Sequence, residues 1–252
     1  MIPLSDNHPT LRIPLMTYAI LAGMAAAWFY WQGAGLDPVR LAVSVCNFGL
    51  VPGELTGMAP IGTAVPLTRS LACVVDNDPI NLLTPFTSMF LHGGWGHLLG
   101  NVMFFWVFGN NVEDSMGRLR FLLFYLICGL AAALAHILVQ PASPLPTVGA
   151  SGAISGVLGA YLVLYPRIRI NMLFIFVVFW KVIAIPAWVV LIFWFIWQVV
   201  SGLPELMAVR PEVSSGVAVW AHIGGFVAGV ILVKLFENPR LVAQRSIPAL
   251  TP

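Results

Sequence analysis

Charged residues are scarce in this chain. Of its 252 residues, 12 are Lys or Arg and 10 are Asp or Glu, so that only 9% are charged while 59% are hydrophobic. An ordinary soluble domain carries about 25% charged residues, and so few charges cannot cover the surface of a water-soluble globule of this size. The same composition excludes a disordered chain, which needs few apolar residues and many charges. We therefore expect a membrane protein, solvated mainly by lipid.

Two further shortages limit the functions to consider. The formal net charge is only +2, which gives no electrostatic reason to expect a nucleic-acid partner. The three cysteines, Cys46, Cys73 and Cys128, are too few and too scattered for a disulfide framework or a zinc site. We expect neither a metal nor a cofactor.

Long apolar runs are what the sequence has instead. A helix that crosses a bilayer needs about 20 apolar residues, and six stretches reach or approach this length. The sequence predicts a single all-α domain, a polytopic membrane protein built as a bundle of six transmembrane helices. The predicted spans are residues 13–32, 95–112, 119–140, 149–165, 183–200 and 217–236, with an outer loop at 33–94 and short tails at 1–12 and 237–252.

The positive charges predict the orientation of these spans. An even number of spans puts both tails on one side, and nine of the twelve basic residues fall on that side, against three on the other. By the positive-inside rule the two tails are cytoplasmic, and we expect a bacterial inner membrane. The nine are Arg12, Arg118, Arg120, Arg167, Arg169, Lys181, Lys234, Arg240 and Arg245, and the three are Arg40, Arg69 and Arg210.

Two irregular segments accompany the spans. Asp37-Pro38 followed by an apolar run predicts a capped short helix in the outer loop. We expect the loop to embed partly in the outer leaflet, and the alternative is a loop folded onto the top of the bundle. Cys46 and Cys73 both lie in this loop, and a disulfide and two free thiols fit the sequence equally well. Residues 171–182 are interpreted as an interfacial approach to the fifth span.

Polar residues inside membrane spans are costly and are functional candidates by default. His97 and Asn101 are four residues apart near the outer start of the second span, so they share a helix face. Ser151 opens the fourth span, and His222 lies about five residues into the sixth. All three spans enter from the outer side, which predicts that the four residues lie at a similar depth. Ser155 and His136 are interpreted as packing residues.

Glycine spacing predicts which spans meet. Small residues four apart let membrane helices approach closely, and the fourth and sixth spans each carry such a pair: Gly152 and Gly156, and Gly225 and Gly229. A close pairing brings Ser151 within hydrogen-bond reach of His222. A serine hydroxyl becomes a nucleophile when a base takes its proton, and histidine is the usual base near neutral pH. No carboxylate lies in these spans at that depth, so the expected arrangement is a Ser-His dyad. His97, Asn101 and the Ser151 backbone N–H are the expected donors to an oxyanion.

At these residues the chain resembles a rhomboid intramembrane serine protease. The similarity covers about residues 84–236, and its motifs occur in a fixed order. They are His92-x4-His97-x3-Asn101, Gly-Asn-Asn-Val-Glu113-Asp-x-x-Gly117-Arg118, Gly149-Ala-Ser151-Gly152 and Ala221-His222-Ile-Gly-Gly225.

The resemblance implies a rhomboid-like six-helix fold and a role for each of these residues. It implies Ser151 as the nucleophile, His222 as the general base, and His97 and Asn101 as oxyanion donors, with Gly149, Gly152 and Gly225 structural beside the site. Substrates would be single-span membrane proteins that enter past Phe193, Trp194 and Phe195 on the fifth span, and the loop at 201–216 would cap the site. Glu113 and Arg118 would join a structural polar cluster at the cytoplasmic end of the second span.

The chain also departs from the family pattern. Some members carry an aromatic residue four positions after the nucleophile, where it packs on the catalytic histidine, whereas this chain has Ser155. The orientation of His222 must then come from another group, such as one on a neighbouring helix. His92 is interpreted as a turn residue of the loop, with a place beside the active site as the alternative.

Two other functional classes compete with a protease. A catalytically inactive rhomboid-like protein that binds membrane substrates would lack the serine or the histidine, and both are present. A small transporter or channel would show charges at mid-membrane depth or an internal repeat, and the sequence shows neither. The sequence leaves the substrate, the pathway and the oligomeric state open.

Overall fold

The structure is a computed structural model that describes residues 2–67, 71–176, 179–206 and 218–246. Helices dominate it. The α-helices are α1 (Leu15–Ala26), α2 (Pro38–Phe48), α3 (Pro52–Thr56), α4 (Thr84–Thr87), α5 (Trp95–Met116), α6 (Arg118–Val139), α7 (Ser151–Leu164), α8 (Ala187–Leu206), α9 (Val219–Phe236) and α10 (Pro239–Ser246). The strands are β1 (Ile2–Asp6), β2 (Ala64–Pro66), β3 (Ala72–Val74), β4 (Arg169–Phe176) and β5 (Phe179–Pro186).

A helix occupies each of the six apolar stretches, so the predicted all-α bundle is confirmed as the main architecture. Within the described residues, three helical segments are long and apolar enough to cross a bilayer: Arg118–Val139, Ala187–Pro204 and Val219–Phe236. Two apolar segments are shorter, Leu15–Trp31 and Ser151–Leu164. The first of these joins α1 to a π-helical turn at Ala27–Trp31. α5 is 22 residues long and carries polar side chains at both ends.

The closest helix pairing is between α7 and α9, as the glycine spacing predicts. A Cβ atom on Gly225 would lie 2.0 Å from the Gly152 carbonyl oxygen, and one on Gly229 would lie 2.0 Å from the Gly156 carbonyl oxygen. Only glycine therefore allows these two backbones to touch. α6 also packs against both helices, so that α6, α7 and α9 form the centre of the bundle.

The segment before α8 differs from its predicted form. Residues 169–176 and 179–186, expected in part as an interfacial approach and in part as the start of the fifth span, form the antiparallel pair β4–β5. β1 pairs with the other edge of β4, giving the order β1-β4-β5. The helix of the fifth predicted span, α8, therefore begins at Ala187 rather than at 183, and it continues to Leu206. β-Branched and aromatic residues, which favour strands, are frequent in this segment.

The outer loop folds back onto the bundle. As predicted, Asp37 caps a short helix: its Oδ1 accepts hydrogen bonds from the backbone N–H groups of Val39 and Arg40, at 2.9 and 3.1 Å. Cys46 of α2 and Cys73 of β3 form a disulfide bond, which decides between the two alternatives left by the sequence. A backbone bridge between Leu50 and Thr147 joins the loop to the segment that precedes α7.

A polar cluster ties the N-terminal segment to the end of α5 opposite His97. The buried Glu113 carboxylate accepts hydrogen bonds from the Met16 and Thr17 N–H groups and from Thr17 Oγ1, at 2.7–3.0 Å. The predicted structural role of Glu113 is thus confirmed, and Arg118 lines the same small cavity as Glu113 and Asp114. Arg118 is exposed and makes no side-chain hydrogen bond or ion pair within the described part of the chain. Arg12 instead lies 3.8 Å from Asp114.

Candidate active site

Ser151 is the first residue of α7, and the chain reaches it through a glycine. Gly149 has φ +132°, a conformation that other residues rarely adopt, and a Cβ atom there would lie 2.6 Å from His97 Nε2. Its N–H donates to the Ser88 carbonyl at 2.9 Å. Because the first N–H groups of a helix have no partner within the helix, the Ser151 N–H is free of the α7 ladder and lies at the positive end of the helix dipole.

His222 of α9 faces Ser151. Its Nε2 lies 2.7 Å from Ser151 Oγ, which is a hydrogen-bond distance for a hydroxyl and an imidazole. The imidazole is largely buried, with 8% of the residue exposed. The two residues are 71 positions apart in sequence, and they meet because the glycine faces bring α7 and α9 together.

Two side chains of α8 hold the other side of the imidazole. Gln198 Oε1 lies 2.9 Å from His222 Nδ1. The Trp194 ring centroid lies 5.8 Å from that of His222, at an interplanar angle of 38°. Ser155, at the position that is aromatic in some rhomboids, instead donates from Oγ to the Ser151 carbonyl at 2.6 Å. The group that orients His222 therefore comes from a neighbouring helix, as expected.

His97 and Asn101 line a cavity beside the serine. This cavity, about 230 Å³ in volume, lies between α5, α7, α8 and α9, and it also contacts Ser151 and His222. Asn101 is buried, and its Nδ2 has no hydrogen-bond partner within the described residues. His97 Nδ1 accepts a long hydrogen bond from the Gly93 N–H at 3.3 Å. A donor without a partner beside the serine can bind a developing negative charge.

A second cavity reaches the site from the loop side. It has a volume of about 370 Å³ and touches His97, Gly149, Ser151 and Gly152. Loop residues, including Gly93 and Thr147, form much of its wall. The serine thus borders one space that opens toward the loops and another that lies between the helices. Most of the predicted capping loop lies outside the described residues, and the part at 201–206 continues α8.

His92 lies beside the active site rather than at a simple turn. It is fully buried, and its ring centroid is 5.3 Å from that of His97. Its backbone N–H donates to Gln32 Oε1 at 2.9 Å, while Gln32 Nε2 donates to the His92 carbonyl at 2.7 Å. Burial and, secondarily, the neighbouring His97 lower the pKa of His92 to about 4, so the His92 imidazole is neutral at neutral pH.

Gln198 is the site residue that the sequence analysis did not identify. It was detectable by the criterion that selected Ser151 and His222, because it is a polar residue within an apolar span.

At the other end of the bundle, Asp6 Oδ2 accepts hydrogen bonds from Asn111 Nδ2 and Tyr161 OH, both at 2.6 Å. Among the described residues, no three His, Cys, Asp or Glu side chains form a group that could hold a metal ion.

The sequence of this chain is similar to a known domain family and to several named proteins. Residues 80–238 match the Rhomboid domain family, and this region contains Ser151, His222, His97 and Asn101. The chain is 46% identical to the rhomboid protease GluP of Bacillus subtilis over 81 residues, which are 32% of this chain and 15% of that protein. It is 39% identical to the rhomboid relative YdcA of the same bacterium over 162 residues, 63% of this chain and 67% of YdcA.

Similarity extends to eukaryotic proteins. The chain is 34% identical to the rhomboid-like protease 5 of Toxoplasma gondii over 150 residues, 57% of this chain and 15% of that protein. The matches to GluP and to the Toxoplasma protein thus each span less than a sixth of the relative's length. The family match covers well over half of this chain, and it coincides with the helices that carry the site. The chain belongs to the rhomboid family.

Proposed function

We propose that this protein is an intramembrane serine endopeptidase that cleaves transmembrane segments of single-span membrane proteins. The observation that carries the proposal is the 2.7 Å distance between Ser151 Oγ and His222 Nε2. An imidazole at this distance can take the hydroxyl proton as the serine attacks a carbonyl carbon. Rhomboid-family membership and the protease names of the relatives support the same activity.

The reaction follows from the positions of these groups. Ser151 Oγ attacks the scissile carbonyl, and His222 Nε2 accepts the proton. The Ser151 N–H, Asn101 Nδ2 and His97 stabilise the oxyanion of the tetrahedral intermediate. His222 then returns the proton to the leaving amine, and an acyl group remains on Ser151. Water then attacks the acyl carbon as His222 takes a proton from it. The bond between the acyl carbon and Ser151 Oγ breaks, His222 returns the proton to Oγ, and the new carboxyl end of the substrate is released.

The position of the site within the bundle fits a membrane-embedded substrate. The cavity between α5, α7, α8 and α9 is bounded by Trp194 and Phe104, and Phe195 stacks on Phe226 of α9 with ring centroids 4.6 Å apart. These rings close the space between α8 and the neighbouring helices. We infer that a substrate helix enters past α8, and that water reaches Ser151 through the cavity on the loop side.

We further propose that the site opens to the outer face of a bacterial inner membrane and that both termini are cytoplasmic. The basis is the predicted excess of Lys and Arg on the tail side and the disulfide of the outer loop, since disulfides persist in oxidising compartments. The partners are then single-span membrane proteins and the surrounding lipid.

Labelling with a fluorophosphonate probe in detergent tests the proposed chemistry. We expect the unaltered protein to be labelled, and Ser151→Ala and His222→Ala each to abolish labelling and cleavage without loss of the folded state. Removing both side chains should cost little more than removing one, because the members of a catalytic unit are not additive. Circular dichroism and the thermal midpoint check folding.

Two results would contradict the proposal. Full labelling of Ser151→Ala would exclude that serine as the nucleophile, and full activity of His222→Ala would exclude that base. A folded, unaltered protein that is neither labelled nor active would favour the alternative, an inactive rhomboid-like protein that binds membrane substrates.

A further inference from the structure

The His222 imidazole forms hydrogen bonds through both ring nitrogens. Nε2 lies 2.7 Å from Ser151 Oγ on α7, and Nδ1 lies 2.9 Å from Gln198 Oε1 on α8. His222 and Gln198 are both buried, with 8% and 9% of their surfaces exposed. The ring is therefore fixed between two helices by directional contacts, in a place with little water to replace either partner.

These two contacts require one tautomer of the neutral ring. A general base must present an unprotonated nitrogen to the hydroxyl, so Nε2 must be free to accept. The single ring proton then lies on Nδ1, where it can donate to Gln198. An amide oxygen only accepts hydrogen bonds, so it stabilises the tautomer that accepts the Ser151 proton and disfavours the other.

Gln198 thus occupies the place that a carboxylate holds in a Ser-His-Asp triad. That carboxylate orients the imidazole and selects its tautomer, and its negative charge stabilises the imidazolium. In the described part of this chain no carboxylate is hydrogen-bonded to His222. A neutral amide supplies the first two effects and lacks the charge.

We propose that Gln198 is the positioning residue of the active site: it holds His222 in the orientation and tautomer that accept the Ser151 proton. The inference rests on the proposed Ser-His chemistry and extends it from a dyad to an uncharged triad. Gln198 lines neither of the two cavities that border Ser151, and it contacts His222 on the side away from the hydroxyl, so its effect passes through the imidazole. It serves in place of the aromatic residue that Ser155 replaces.

The test compares Gln198→Met and Gln198→Glu in the purified full chain, with a fluorophosphonate as the probe. Met keeps a similar side-chain length and removes the acceptor. Glu keeps the acceptor and adds a charge. Val200→Met, an exposed position on the same helix, is the matched control. The measured quantities are the maximal rate of Ser151 labelling, the probe concentration at half-maximal rate, and the dependence of the rate on pH.

We expect Gln198→Met to lower the maximal labelling rate about 10- to 100-fold, by analogy with the cost of removing a hydrogen-bond partner that orients a metal-binding histidine. The half-saturating probe concentration should stay within about twofold, because the probe does not touch position 198. The Val200→Met control should match the unaltered protein in both quantities.

Gln198→Glu should retain most of the labelling rate at alkaline pH, and the acid limb of its pH profile should move to higher pH by about one unit or more. The reason is that a carboxylate beside Nδ1 stabilises the protonated ring. The other titratable groups that act on His222 are His97 of α5 and His136 of α6, and both are unchanged. The shift shows that position 198 contacts the imidazole, and the retained rate shows that an acceptor there is sufficient to orient it.

Either of two results overturns the inference: a folded Gln198→Met with a labelling rate within twofold of the unaltered protein, or a Gln198→Glu profile with no shift. If Gln198→Met proves unfolded by its thermal midpoint, the Gln198→Glu profile decides alone. Loss of labelling in Ser151→Ala together with an unaffected Gln198→Met would leave the proposed protease function standing and remove only the role of Gln198.

Discussion

Asn101 is the residue beside the site whose hydrogen-bonding capacity is least used. It is 6% exposed, and within the described residues its Nδ2 has no partner. A buried amide N–H without a partner costs about 1–3 kcal/mol, a cost that a binding site can recover when a ligand oxygen arrives. Because Asn101 lines the same cavity as Ser151 and His222, a substrate oxyanion is the acceptor that this arrangement suits.

Asn101→Ala should therefore lower the cleavage rate and leave substrate affinity largely unchanged. An oxyanion donor acts mainly in the transition state, and its removal costs about 10²- to 10³-fold in kcat. His97 and the Ser151 N–H remain in the variant, so the loss should be partial. The measurement is the kcat and KM of a transmembrane-segment substrate in detergent micelles.

Asn110→Ala is the control for this prediction. Asn110 lies on the same helix, away from the two cavities that border Ser151, and its Oδ1 accepts from the neighbouring Asn111 N–H. Its replacement should leave kcat within about twofold, since no reacting atom lies near it. An Asn101→Ala variant with the same small effect would show that Asn101 is not an oxyanion donor.

The meeting of Ser151 and His222 was predictable because two features of the sequence determine it: the depth of each residue in its span, and the glycine spacing that pairs the two spans. Both residues lie in the first turn of their helices, and the rise per residue fixes the depth of each below the end of its helix. The partner of His222 was not predictable in this way. Whether Gln198 faces His222 or lipid depends on the rotation of α8 about its own axis. The sequence of α8 is apolar almost all round, so it has no polar face from which that rotation could be predicted.

At the scale of helices, contact between α7 and α9 depends on the absence of side chains. A Cβ atom on Gly225 would overlap the Gly152 carbonyl oxygen at 2.0 Å, and one on Gly159 would approach the Phe226 carbonyl oxygen at 2.3 Å. Both obstacles are backbone atoms, which cannot rotate away as a side chain can. The spacing of Ser151 and His222 is therefore set by the same contact that holds the helices together.

Gly225→Ala should lower both stability and activity. The added methyl group forces the two helices apart, and overpacking of a close contact typically costs about 1–3 kcal/mol. A shift of even about 1 Å between α7 and α9 would also weaken the bond between Ser151 and His222. The thermal midpoint in detergent and the fluorophosphonate labelling rate measure the two effects.

Gly100→Ala makes the same chemical change where there is room for it. Apart from its chain neighbours and the nearby backbone of α5 itself, no heavy atom lies within 4 Å of the position that a Cβ would take at Gly100, in the second turn of α5. Alanine is favoured over glycine in a helix by up to about 1 kcal/mol, so this variant should be as stable as the unaltered protein or more so. Equal thermal midpoints for Gly100→Ala and Gly225→Ala would contradict the close-contact explanation.

The helices were predictable from apolar length, but the β4–β5 hairpin was not. An apolar run of this kind suits a strand as well as an interfacial segment, and periodicity does not separate the two. What decides between them is a partner: β1, from the other end of the sequence, pairs with β4 and completes a three-stranded sheet. Pairing between segments so far apart leaves no local signal.

At the scale of the whole molecule, the two ends of the bundle differ in chemistry. The end with the serine has the disulfide-linked loop, which joins the segment before α7 through the Leu50–Thr147 bridge. The other end has α10, the three-stranded sheet and the Glu113 cluster. Most basic residues of the sequence fall at the second end, which is the end that we propose to be cytoplasmic on the basis of the positive-inside rule.

Site-directed cysteine labelling tests this orientation. Ile61→Cys places a thiol in the outer loop, and Arg240→Cys places one on α10, both at exposed positions. The unaltered chain is the blank, because Cys46 and Cys73 are joined and Cys128 is buried. With a membrane-impermeant maleimide on bacterial spheroplasts, we expect Ile61→Cys to react at once and Arg240→Cys only after permeabilisation, since the positive-inside rule places the basic end in the cytoplasm. The reverse pattern would place Ser151 near the cytoplasmic face, and the proposed source of substrates and of water would then have to be reversed with it.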